Sequence, residues 1–164
     1  MVKRVQNSLG QIVVNNGSVL NVPSTRYVLD NTRSYLIFDV IPMGAVRMTK
    51  SDTWKLNPDH KDPKKRQRPA VTKYFAFKNL LQLQAKSVNF ELGKCIDAVY
   101  LIPMPDSWSK KKKDAMNGMP CESKPDTDNI TKAIKDTLRK EDGDIWWEKA
   151  EKRWSYKGSI IIFK

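Results

Sequence analysis

The chain has 164 residues, 40% of them hydrophobic, and its 30 Lys and Arg against 18 Asp and Glu give a formal net charge of +12. This length suits one hydrophobic core rather than two, so a single domain over 1–164 is expected; the charge makes a polyanion the natural partner. No stretch approaches the roughly 20 apolar residues that span a bilayer, and Cys95, Cys121 and the lone His60 lack the ligand set and spacing of a structural zinc site.

These exclusions favour nucleic acid over membrane. The N-terminus runs from Met1-Val2-Lys3-Arg4 into a polar Gln-Asn-Ser segment without an apolar signal core, so a cytosolic protein with reduced thiols is expected. Any metal must then be held by carboxylates, and oxygen ligands point to Mg²⁺ or Mn²⁺.

Residues 1–34 read as an accessory extension. In it Ile12-Val13-Val14 and Val19-Leu20 flank Asn15-Asn16-Gly17, a sequence able to supply the positive φ angles of a hairpin turn. Tyr35 to Pro42, YLIFDVIP, is β-branched, aromatic and closed by proline, as a core strand would be. From Gly44 to Thr72 the pattern breaks into prolines and the basic cluster Lys61, Lys64, Lys65, Arg66 and Arg68, which predicts a long loop. From Lys73 to about Glu91 apolar residues recur at helical spacing, with Gly93 placed to stop the helix. Cys95 to Ile102 is a buried strand ended by Pro103 and Pro105.

Asp106 to Lys124 shows no apolar period and holds Trp108 and the run Lys110, Lys111, Lys112, Lys113; it predicts a second basic loop. A helix follows from about Asp126 to Lys140, then two pairing strands at Ile145 to Trp154 and Ser159 to Phe163, joined at Tyr156-Lys157-Gly158. The adjacent Trp146 and Trp147 should place one ring in the core and one outside. The order implies an α+β fold of two layers, a mixed sheet with helices on one face.

The most informative stretch is Lys124 to Leu138, KPDTDNITKAIKDTL. Ile130, Ala133, Ile134, Thr137 and Leu138 form one inward stripe, and Lys132 falls on the opposite face between Asp128 and Asp136. Asp126 and Asp128, two residues apart where a loop enters the helix, can project toward one point. Phosphodiester hydrolysis needs a metal-activated water and relief of charge on the phosphate and leaving oxygen, which clustered Asp residues and a nearby Lys supply. The bland reading is an N-cap followed by ordinary i, i+4 ion pairs.

Taken together, PDTDN, Lys132, Asp136, Leu138 and Glu141-Asp142 resemble the RusA-type Holliday junction resolvases, whose hallmark is DxDN, a lysine one turn on and a later Asp. Pro42, Gly44 and Arg47 resemble that family's P-x-G-x-x-R segment, Pro103 to Lys113 its Pro/Ser/Lys loop, and Lys152 and Trp154 its later Lys and aromatic, over roughly Leu36 to Lys164. The resemblance implies a Mg²⁺-dependent homodimer, with Mn²⁺ able to substitute, that cuts four-way DNA junctions, an activity suited to a phage or prophage gene. It assigns Asp126, Asp128 and a third acid to the metal and Lys132 to the chemistry. The third acid is Asp142 or Asp144; Asp142 is preferred because Ile145-Trp146 matches the apolar pair opening the next strand. Arg47, Lys110 to Lys113, Lys124 and Asn129 are expected DNA contacts. Two rivals stand beside this reading, a less selective nuclease trimming Y-junctions or flaps and a non-catalytic nucleic-acid-binding protein.

Overall fold

The computed structural model describes residues 5–7, 10–13, 34–53, 55, 57–139 and 141–163. Six strands form one sheet in the order β1-β2-β3-β6-β4-β5: β1 (Val5–Asn7), β2 (Gly10–Val13), β3 (Tyr35–Phe38), β4 (Cys95–Pro103), β5 (Trp147–Ser155) and β6 (Ser159–Phe163). Among the described residues only β4 and β5 are parallel, in the register Ala98↔Ala150 and Ile102↔Trp154. Every other pair is antiparallel. The sheet is therefore mixed, and the α+β arrangement expected from the element order is what the chain adopts.

Three helices accompany it, α1 (Pro69–Ser87), α2 (Lys110–Met116) and α3 (Thr127–Leu138). Alternation along β4 divides its side chains between two faces. Ile96, Ala98, Tyr100 and Ile102 join Leu36, Phe38, Ile160 and Ile162 in the main core, against Tyr74, Phe77 and Leu81 of α1 and Ile130, Ala133 and Ile134 of α3. Val99 and Leu101 point the other way and cluster with Tyr35 and Ile161. A strand buried on both faces explains why this segment reads as continuously apolar rather than alternating.

Helix α3 sits where it does for identifiable reasons. Its inward stripe is buried, and Thr131 adds a polar anchor by sharing a 2.8 Å hydrogen bond with Tyr100 Oη on β4. Burial pushes the Tyr100 hydroxyl up to about 12, so it stays neutral as a hydrogen-bonding group at any ordinary pH. Gln82 of α1 donates to the Thr137 carbonyl at 2.9 Å, tying the two helices at the far end.

The structure departs from the sequence reading in five places. The last two strands, expected to pair, do not: the long apolar β4, buried on both faces, takes the place between them, parallel to β5 and antiparallel to β6. Helix α1 begins at Pro69 rather than Lys73, since proline is well placed at a first helical position, and it ends at Ser87, with Asn89 in the left-handed region (φ 47°). The Lys110–Lys113 run is not loop but the start of α2, capped by the Ser109 hydroxyl, which accepts from Lys112 N at 3.3 Å. The long 44–72 loop is organised by two short 3₁₀ turns, Lys50–Thr53 and Pro63–Lys65. Trp146 and Trp147 are both exposed, at 74% and 40%, because β5 starts only at Trp147 and Trp146 sits on the turn before it. The hairpin turn expected at Asn15-Asn16-Gly17 lies outside the described residues.

Candidate active site

Asp126 occupies the N-cap of α3, yet its side chain makes no capping hydrogen bond. Its carbonyl accepts from Ile130 N at 3.1 Å and so begins the helix through the backbone alone. Asp128 follows in the first turn, exposed, and Lys132 is exposed one turn later. Among the described residues no ion pair joins Asp128 to Lys132 or Lys132 to Asp136, and neither carboxylate of the DxDN stretch is engaged by a hydrogen bond. The bland reading required a capping bond or i, i+4 pairs, and neither forms. The helix N-terminus still favours these negative charges through its dipole.

Three neighbours fix the backbone that carries this pair. Lys152, half-buried on β5, donates from Nζ to the carbonyls of Ser123 and Pro125 at 2.7 and 2.8 Å. The strap at residues 43–48 crosses the start of α3: Ala45 N donates to the Asn129 carbonyl at 3.0 Å. A β-carbon on Gly44 would lie 2.5 Å from Asn129 Nδ2 and 3.0 Å from Pro125 Cβ, so any larger residue would have to displace the Asn129 amide and crowd Pro125. The glycine of the P-x-G-x-x-R segment and the asparagine of the DxDN stretch thus meet in space.

The third element is a clamp behind the strap. Arg68 grips buried Asp52 with Nε and Nη2 at 2.9 and 2.6 Å and reaches the Arg47 carbonyl at 3.0 Å. Thr49 adds its backbone N–H and its hydroxyl to the same carboxylate, both at 2.7 Å. The Arg68 hydrogen bond, then those from Thr49, hold Asp52 well below the usual carboxylate range. No local sequence signal marks Asp52, because its partner lies 16 residues away. Lys152 was legible only as a matching position; its task of holding the segment before Asp126 spans 27 residues.

The two candidates for third acid differ sharply. Asp144 is bound by Arg139 Nη2 at 2.7 Å and faces Lys94 Nζ at 3.5 Å. Asp142 has no such partner among the described residues and lines a concavity of about 340 Å³ with Met48, Tyr74, Lys78, Lys135, Asp136 and Arg139. This concavity is at the C-terminal end of α3, whose 12 residues span about 18 Å. Along the chain Asp126 and Asp128 stand at the start of α3 and Lys132 at its middle, and both later acids follow its end, where Asp142 shares the concavity with Val46 and Met48 of the strap. No three acidic, His or Cys side chains among the described residues stand close enough together to hold one metal ion.

The expected DNA contacts differ in exposure and in partners. Lys110 and Lys111 are exposed on α2. Lys112 lies over the Trp108 ring at 4.1 Å, Trp108 packs on Trp154 with centroids 5.0 Å apart, and Lys113 is 3.9 Å from Asp106. Arg47 and Lys124 are exposed, whereas the Asn129 side chain is half-buried beneath Gly44. No helix among the described residues is long and apolar enough to cross a membrane.

Comparison with curated proteins and with solved structures returns no match. The family model described as endodeoxyribonuclease RusA matches residues 50–163, which take in α1, β4, the DxDN helix, both later acids and Lys152 but not the Pro42-Gly44-Arg47 segment. On that match, over most of the sequence, the chain belongs to the RusA endodeoxyribonuclease family.

Proposed function

We propose that the protein is a Mg²⁺-dependent endonuclease that acts as a homodimer on four-way DNA junctions, cutting two opposed strands symmetrically with one site per subunit. The observation that carries this reading is the pair Asp126 and Asp128, exposed and without hydrogen-bond or ion-pair partners on a backbone held from three sides, in a chain of this family. Unengaged carboxylates beside a lysine have no evident structural task.

The donor set suits a hydrated hard cation. Mg²⁺ is commonly held by one or two carboxylates and keeps several waters, so Asp126 and Asp128 are sufficient, and Mn²⁺ can substitute. Such an ion supplies a polarised water and offsets charge on the scissile phosphate. Lys132, one turn along the same face, places its ammonium where it can relieve charge on the phosphate or the leaving oxygen. Asp142 is the better third acid, since Arg139 and Lys94 already neutralise Asp144. Lys110, Lys111, Lys112, Lys113, Lys124 and Arg47 would meet backbone phosphates, and binding would weaken with salt as counterions are released. Asn129 binds the strap through its backbone carbonyl and would present its half-buried side chain to DNA. Twofold symmetry of a dimer would match the paired arms of a junction.

The decisive experiment compares Mg²⁺-dependent cleavage of four-way, three-way and linear duplex DNA of the same sequence. Cleavage of the four-way junction at least tenfold faster than of the others is expected. Equal rates on four-way and three-way DNA would replace resolution by general debranching, and binding without cutting under any divalent ion would leave a DNA-binding protein.

A further inference from the structure

We infer that Lys152 is a positioning residue that sets the metal affinity of the Asp126 site without touching metal or DNA. Its ammonium donates to two carbonyls of one short segment, Ser123 at 2.7 Å and Pro125 at 2.8 Å, and its own carbonyl accepts from Cys121 N at 3.0 Å. The chain entering α3 is thereby held against β5 at three successive alternate residues. The Pro125 carbonyl belongs to the peptide unit that ends at Asp126 N. Fixing that plane, together with the Asp126 carbonyl bond to Ile130 N, fixes the direction in which the Asp126 side chain leaves the backbone. The side chain itself has no capping bond to orient it. A flexible polar residue on a loop is thus given a defined direction by a lysine 26 positions away in sequence that spends its ammonium on carbonyls.

Two alternatives for Lys152 fit the geometry less well. A phosphate contact would need the ammonium turned outward, but two of its donors face protein carbonyls. A direct charge partner for Asp126 would appear as an ion pair, and among the described residues none joins them. Groups that orient metal ligands from behind typically change metal affinity 10- to 100-fold when removed.

The inference rests on the reading that Asp126 and Asp128 hold the metal, and the test separates the two. Mn²⁺ binding to the full chain without DNA is measured by isothermal titration for the parent, Lys152→Met, Lys152→Gln, Lys152→Arg and Asp126→Asn. Junction affinity in EDTA and the Mg²⁺ concentration for half-maximal cleavage are measured alongside. Lys152→Met should weaken Mn²⁺ binding about tenfold and raise the Mg²⁺ requirement by a similar factor, with junction affinity in EDTA unchanged within about twofold. Lys152→Arg, which keeps donors, should restore most of the affinity, and Lys152→Gln should fall between. If Lys152→Met does not fold, Lys152→Gln decides by the same measures. Parental Mn²⁺ affinity in these variants, or a loss of junction affinity with unchanged Mn²⁺ binding, overturns the role. Parental Mn²⁺ binding and cutting by Asp126→Asn would instead overturn the acid-pair reading beneath it, whatever Lys152 does.

Discussion

In its first half helix α3 carries Asp126, Asp128 and Lys132 with no side-chain partner among the described residues, while the backbone beneath them is held by Lys152, by the Gly44-Ala45 strap and, behind the strap, by the Asp52–Arg68 clamp. At its C-terminal end the charges are spent on one another: Arg139 binds Asp144, Lys94 faces the same carboxylate, and Lys135 meets Glu148 at 3.1 Å. One end keeps its charges available and borrows rigidity from other elements. The other uses its charges to close a turn. Surface pairs of the second kind contribute about 0–1 kcal/mol each, so the contrast separates modest stabilisation from a site whose charges are left for something else.

The largest effect that tests this contrast falls on the unpartnered end. Asp128→Asn removes a charge but no hydrogen bond, so the fold should be unaffected, with an unfolding midpoint within about 2 °C of the parent. Cleavage of a four-way junction under saturating Mg²⁺ should drop at least 10²–10³-fold, the scale on which loss of a group that stabilises reacting charge is felt. Retained junction binding in EDTA identifies the loss as chemical. A variant that still cuts at the parental rate would mean that the free acids serve no reaction.

The next effect asks which later acid matters. Asp142→Asn should lower cleavage about tenfold or more, whereas Asp144→Asn should stay within about twofold of the parent and cost under about 1 kcal/mol of stability as the Arg139 contact is lost. Equal, small effects would leave Asp126 and Asp128 acting without a third acid.

Much of this architecture was readable from residue patterns because it rests on local rules. The inward stripe Ile130, Ala133, Ile134 and Thr137 is a period-3.6 signal, and the structure buries all four residues. The mixed sheet followed from the order of apolar strands and helices. What escaped depends on contacts distant in sequence. The helix at Lys110 is the exception: Ser109 beside it is a residue type that caps helices, but four lysines in a row carry no apolar period to extend that local signal. The exposure of Trp146 follows from where β5 begins, which is set by pairing with β4. In the site, DxDN and Lys132 were legible as residue types, but whether the acids cap, pair or stay free is decided by side-chain contacts. The same holds for choosing between Asp142 and Asp144, which sequence distinguished only by resemblance.

The smallest expected effect lies in the clamp that steadies the strap. Asp52 is buried, accepts two hydrogen bonds from Arg68 and two from Thr49, and is held well below the usual carboxylate range, first by Arg68 and then by Thr49. A carboxyl whose folded value is depressed binds its proton more readily in the unfolded chain. Its stabilisation is fully present above the unfolded value of about 3.9 and is lost as pH falls below that toward the folded value. Asp52→Asn should therefore lower the unfolding midpoint by a few degrees at pH 7, and the gap between parent and variant should stay level down to about pH 5 and narrow below about pH 4. Junction cleavage at pH 7 should change only a few-fold, because Ala45 still binds the Asn129 carbonyl and Lys152 still holds the segment before Asp126. Thermal melts across pH 3–7 read the first effect and cleavage rates the second. A gap that does not vary with pH would show that the Asp52 charge does not hold the strap, and a loss of cleavage as deep as that of Asp128→Asn would show that the N-terminal end of α3 depends on the clamp as directly as on its own acids.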